Sequence, residues 1–198
     1  FAHAMSQIEW TEYAQAKWNL RRTIGDFSRD IPCNVFTMID LQYTFMLQSF
    51  GLIRSNTLKE FVYRRPSFYA MQHVFSLLDC DAKPEKLDLD APFTMEYWWD
   101  VRAAQPRKLT CSRVVRKGAP LWFFWFSQAR PGDQLGFDRI TLPVWGRIEH
   151  PVWVDMITGR VFEIPAGRFS IEEKRTVFRN LPMWDSPVLI ADRSSIDM

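Results

Sequence analysis

The chain has few of the residues that build metal or disulfide sites: three cysteines and three histidines among 198 residues. Cys33, Cys80 and Cys111 are odd in number and widely spaced, which excludes a dense disulfide framework and any CxxC metal site. Buried or free thiols are expected of them, with a pairing of two as the alternative. His3, His73 and His150 have no ligand spacing, so structural or solvated roles are expected, and no metal or cofactor is called for. Charge of one sign is also lacking. The 25 basic and 23 acidic residues leave a net charge of +2 without a long basic run, so nucleic acid is not expected as a partner. The longest apolar run, Ala119 to Ser127, falls well short of the ~20 residues of a membrane span. It reads as a strand, and no membrane partner is expected. Phe1 opens no charged, apolar and cleavable leader pattern. The start is expected to be processed or truncated, and the compartment is not legible from it. Internal repeats and low-complexity segments are absent.

What the chain does have is apolar and aromatic mass: 47% hydrophobic residues, with nine Trp and sixteen Phe. That suffices for one large packed domain or two small ones. Ser6-Gln7-Ile8-Glu9 fits a capping box. Trp10, Tyr13, Ala14, Ala16, Leu20, Ile24 and Phe27 then recur with mostly helical spacing. A helix over Ser6–Phe27 is expected, stopped by Asp30-Ile31-Pro32. Val35–Ile39 is nearly continuous in apolar residues and ends at Asp40, which suits a strand covered on both faces of a parallel sheet. After a long connection over Leu41–Glu60, Arg65-Pro66 opens a second expected helix, Pro66–Leu78. Its apolar set is Phe68, Tyr69, Met71, Val74, Phe75 and Leu78.

Beyond Asp81 the texture changes. Lys83–Asp88 is polar and contains proline, and helical periodicity then disappears. Short β-like runs follow at Phe93–Val101, Leu109–Arg116, Leu121–Ser127, Arg139–Leu142, Val152–Asp155, Arg160–Ile164, Thr176–Leu181 and Val188–Ala191. Strands at this spacing predict an antiparallel β-sandwich. Asp155–Gly159 reads as a hairpin turn, with glycine supplying a positive φ.

Several blocks resemble the end of a (β/α)8-barrel retaining glycoside hydrolase of the clan A type. Glu12, Gln15, Ala16, Lys17 and Arg21 match a pattern E-x-x-Q-A-K-x-x-x-R of the helix before the last barrel strand. Asn34–Asp40 and Ser49-Phe50-Gly51-Leu52 match that strand and its loop. Arg65–Gln72 is similar to the K-P-x-Y-Y-A-L-Q of the final barrel helix. Pro120–Trp125, Val154–Val161 and Asp185–Ile190 match the accessory β-sandwich more loosely. The order of the blocks carries the resemblance better than any one of them.

The resemblance implies an α+β chain: a partial (β/α)8-barrel end of two helices and a strand over residues 1–82, then a β-sandwich over 83–198. It implies part of an enzyme acting on β-linked glycosides or polysaccharides, with the acid/base and nucleophile glutamates upstream of Phe1. The expected partners are a carbohydrate substrate and a missing N-terminal barrel segment, or self-association in its place. This chain alone is expected to lack turnover. The alternative is a non-catalytic carbohydrate- or partner-binding module.

Within the chain, Glu9 and Glu12 sit in a helix pattern, where surface or capping roles suit them better than nucleophilic ones. Asp40 ends the expected barrel strand, on the face where such barrels bind substrate. It is the candidate substrate-binding residue, through a sugar hydroxyl, with a turn or cap carboxylate as the other reading. Retention needs two carboxylates ~5 Å apart, and Asp40 alone cannot do both jobs. Trp98 and Trp99, and Trp122 and Trp125, are candidates for stacking on sugar rings. Strand alternation sends the members of each pair to opposite faces, and core packing is the competing role.

Overall fold

The computed structural model describes residues 11–43, 47–85, 109–127, 131–133 and 137–196. The expected capping box at Ser6–Glu9, the strand Phe93–Val101, and His3, Glu9, Trp98 and Trp99 lie outside those residues. Helix α1 spans Glu12–Phe27 and has its own cap, the Thr11 hydroxyl accepting from the Ala14 N–H at 3.1 Å. Its buried face is Ala14, Ala16, Lys17, Leu20, Thr23 and Ile24. Helix α2 spans Pro66–Leu77, with the extended Arg65 as cap and proline in the first turn, where a missing N–H costs nothing. Ala70, Met71, Val74 and Leu77 are its buried apolar residues, whereas Tyr69 and Phe75 are exposed. The apolar set expected from sequence is therefore rotated: the i, i+3, i+4 stripe runs through Met71 and Val74 and leaves those two rings outside it.

Two small hairpins lie between the helices, β1 (Leu41–Gln42) with β2 (Leu47–Gln48), and β3 (Ile53–Ser55) with β4 (Phe61–Arg64). The expected barrel strand Val35–Ile39 forms no ladder among the described residues. It runs beside Leu52 and Ile53, with one parallel bridge, Ile39 to Ile53, and hydrogen bonds from Leu52 N–H to the Thr37 carbonyl and Ile53 N–H to the Met38 carbonyl. A strand exists by virtue of flanking strands, and the described residues offer this segment only the Leu52–Ile53 backbone.

The rest is antiparallel: β5 (Ala82–Glu85), β6 (Leu109–Arg116), β7 (Ala119–Phe126), β8 (Asp138–Trp145), β9 (Pro151–Asp155), β10 (Val161–Glu163), β11 (Phe169–Glu172), β12 (Arg175–Met183) and β13 (Val188–Asp192). They form a six-stranded sheet ordered β10-β9-β13-β7-β6-β5 and a three-stranded sheet ordered β11-β12-β8. The polar Lys83–Glu85 stretch is thus part of an edge strand, a position that tolerates Pro84. β6 and β7 turn through Lys117 and Gly118, both at positive φ (51° and 80°), as a two-residue hairpin loop requires.

The run Leu121–Phe126 is apolar throughout because both of its faces are covered. Leu121, Phe123 and Trp125 join the helices in one core, with Leu20, Ile24, Met71, Val74, Val154 and Leu189. Trp122, Phe124 and Phe126 point the other way and meet Leu142, Phe178 and Met183 of the three-stranded sheet. The six-stranded sheet is therefore the middle layer of an α+β protein, between two helices and a smaller sheet. The expected boundary between residues 82 and 83 falls inside β5, and the helices share a core with the sheet.

Candidate functional site

Asp40 is fully engaged by the protein. Its side chain is 0% exposed and that of Arg65 is 1%. Arg65 forks onto it, Nη1 to Oδ1 at 2.7 Å and Nη2 to Oδ2 at 3.0 Å. The Gly51 N–H donates to Oδ1 at 3.0 Å, and Arg54 Nη1 reaches Oδ2 at 3.3 Å. Burial pushes the Asp40 carboxyl up, but the Arg65 guanidinium and the Gly51 and Ser55 N–H groups outweigh it, and the net direction is below the ordinary carboxylate value. Such a group stays ionised and makes a poor proton donor. The substrate hydroxyl expected at Asp40 finds no free carboxylate oxygen in this arrangement. Asp40 anchors instead, holding the end of the Val35–Ile39 segment to Gly51 and to the start of α2.

Gly51 is required there by space. A Cβ on it would lie 2.3 Å from the Ile39 carbonyl carbon and 2.4 Å from the Asp40 nitrogen. Arg65 also donates from Nη1 to the Gly51 carbonyl at 2.6 Å and from Nε to Glu12 at 2.8 Å, and the Tyr63 hydroxyl donates to Glu12 at 2.7 Å. The two carboxylates, Asp40 and Glu12, are thus bridged by one guanidinium. Burial opposes its charge, while Asp40 and Glu12 hold its pKa above the usual arginine value.

The other residues of the helix pattern are connectors too. Lys17, 1% exposed, pairs with Asp185 at 2.7 Å and donates to the Gly132 carbonyl. Arg21 donates to the backbone carbonyls of Asp185 and Phe126 at 2.6 and 2.7 Å. Gln15 donates to the Phe50 carbonyl. One set of contacts ties α1 to the loop after β12, and another ties it to the Asp40 segment and α2.

A second feature lies at the far edge of the six-stranded sheet. A cleft of about 540 Å³ opens between β10 and the three-stranded sheet. Its apolar surface includes Phe137, Trp153, Phe162 and Trp184. The Trp153 and Trp184 rings meet edge to face at 5.0 Å, and Phe162 tilts against Trp153 at 5.7 Å. Phe137 and Phe162 are about half exposed. Polar groups in the same wall include Arg139, Arg160, Glu163, Arg168 and Asn180.

The Asn180 backbone has φ 59° at a bulge between Phe178 and Leu181. Its side-chain oxygen accepts from Arg139 Nη1 at 3.2 Å and its carbonyl accepts from Arg168 Nη1 at 3.0 Å. None of these residues was singled out from the sequence. The signal present was a lone asparagine within the otherwise β-like run Thr176–Leu181, as a bulge demands.

Among the other candidates, Trp122 and Trp125 are buried in the two cores. His73 lies on α2 with Nδ1 3.3 Å from the Met156 carbonyl oxygen. Cys33, Cys80 and Cys111 are free thiols, and burial pushes the Cys111 thiol far up. Among the described residues no group of His, Cys, Asp or Glu could hold a metal ion, and no helix is long and apolar enough to cross a membrane. The sequence matches no protein-family model, and none of the curated proteins matches it.

Proposed function

We propose that the chain is the C-terminal part of a retaining glycoside hydrolase acting on β-linked glycosides or polysaccharides. In this reading residues 1–82 belong to the end of a (β/α)8 barrel and residues 83–198 to its accessory β-sandwich. The observation that carries the reading is the connectivity of the resembling blocks. Glu12 of the first block, Asp40 of the strand block, Gly51 of the loop block and Arg65 of the final-helix block meet in one hydrogen-bonded network. Lys17 and Arg21 reach Asp185 of the last block.

An exposed apolar strip supports the same reading. Phe36, Met38 and Ile39 are 66%, 57% and 41% exposed on the segment expected to be a barrel strand. Exposed apolar side chains gathered in one short segment are what contact with other protein would cover. Further barrel strands would cover it and pair its backbone. Asp40 and Arg65 then position this wall, and the acid and nucleophile carboxylates come from the rest of the barrel.

The test joins the chain to the polypeptide encoded immediately before residue 1 and assays aryl β-glucosides, xylosides and galactosides. The joined protein turns over at least one of them, and residues 1–198 alone turn over none. Turnover by the chain alone that survives repurification overturns the proposal, as does an inactive but folded joined protein. A non-catalytic carbohydrate-binding module is the second reading, and the aromatic cleft beside β10 favours it.

A further inference from the structure

We infer that the cleft between β10 and the three-stranded sheet binds an acidic oligosaccharide, a glycan segment bearing uronic-acid carboxylates. This inference rests on the carbohydrate reading proposed above and adds a ligand class and a site remote from Asp40. A pyranose ring has an apolar C–H face and a rim of hydroxyls. It therefore suits a wall that offers flat aromatic surface with a few fixed polar groups at its margin. Phe162 and Phe137 supply exposed ring surface, and the Trp153–Trp184 pair stiffens the wall behind it.

The charge arrangement selects within that class. Arg139, Arg160 and Arg168 share the lining with Asp155 and Glu163. Asp155 is turned into its own hairpin, Oδ1 accepting from the Ile157 N–H and Oδ2 from the Thr158 hydroxyl. Glu163 remains as the acceptor for sugar hydroxyls. The guanidiniums of Arg139 and Arg168 each give one Nη1 donor to Asn180. A guanidinium carries five N–H donors, so both keep donors for a ligand while Asn180 holds them in place. Arg160 is exposed just before β10. Arginine forks match a planar carboxylate in a way a single ammonium does not.

Asparagine adopts the left-handed region readily, and the bulge at Asn180 sets its side chain and its carbonyl beside two guanidiniums. Here the bulge orients the two arginines, since Arg139 donates to its side-chain oxygen and Arg168 to its carbonyl.

The experiment is calorimetric titration of the full chain with β-1,4-linked oligomannuronate, with the same oligosaccharide reduced at its carboxylates, and with neutral xylo- and cello-oligosaccharides. Oligomannuronate binds, the carboxyl-reduced form binds at least ~10-fold more weakly, and raising the salt weakens binding. Arg160→Ala and Phe162→Ala, both at exposed positions, each lower affinity by at least ~10-fold with unfolding midpoints unchanged. Asn180→Gly keeps the backbone conformation, removes the Oδ1 acceptor and weakens binding. Equal affinity for the neutral and acidic ligands overturns the acidic class. Absence of any saccharide binding, or binding untouched by all three substitutions, overturns the site. Turnover by the joined protein decides the hydrolase reading separately, so the two failures are distinguishable.

Discussion

Arg65 and Asp40 form a two-pronged ion pair withdrawn from solvent, with N–O distances of 2.7 and 3.0 Å. Removing one partner of such a pair leaves a buried charge uncompensated, which costs more than the intact pair contributes. Asp40→Ala is therefore expected to lower unfolding stability by about 3 kcal/mol. Glu12 still meets Arg65 in that variant and moderates the loss. Asp40→Ala with Arg65→Met removes both charges, and its loss of stability should be well below the sum of the single losses. Urea unfolding of the four proteins checks this, and additive losses would argue against a coupled pair.

Acid should weaken the protein through the same residue. The folded-state pKa of Asp40 lies below its ordinary value of 3.8. Its contribution is thus fully present above the ordinary value and is lost as pH falls through the lower, folded-state value. Asp192 works with the same sign. Burial raises its pKa, but N–H donors from His150, Ser194 and Glu149 and the Ser194 hydroxyl outweigh that. Unfolding midpoints should hold steady at mildly acid pH and then drop below pH ~4. Asp40→Asn should flatten part of that drop, and an unchanged slope would contradict this assignment.

Gly159 closes the β9–β10 turn at φ 70°, and a Cβ there would stand 2.6 Å from Nε2 of His73 on α2. Gly159→Ala meets both a backbone penalty and a clash, for a cost of about 2 kcal/mol. His73→Ala should recover the clash and leave the backbone part. Thermal melts of the single and double variants read the difference. A Gly159→Ala protein as stable as the parent would mean the turn is not held against α2.

Much of the fold was legible because its signals are local. Asp155–Gly159 turns as a hairpin, Pro66 opens α2, and Leu109–Arg116 and Val188–Asp192 are strands. The exposed face of α2 was harder to read, because Tyr69 and Phe75 are as apolar as the partly buried Phe68, and only tertiary packing decides which rings are covered. β5 and β11 escaped notice because an edge strand needs little apolar alternation. Asp40 stands at the end of its segment, and its partners Arg65 and Gly51 come from the chain beyond it. Sequence order places a carboxylate at a strand end without revealing that a guanidinium already occupies it. The cleft was missed for a similar reason: its arginines and aromatic rings come from separate strands that only the sheet topology brings together.

The most direct measurement of the central claim is mass spectrometry of the joined protein after reaction with an activated fluorosugar β-glycoside. Such a reagent traps the covalent glycosyl-enzyme of a retaining mechanism. The account predicts one glycosyl label on a glutamate outside residues 1–198, and an unlabelled Asp40. A label on Asp40, Glu12 or any other carboxylate of this chain would contradict it, as would turnover that proceeds with inversion and leaves no label.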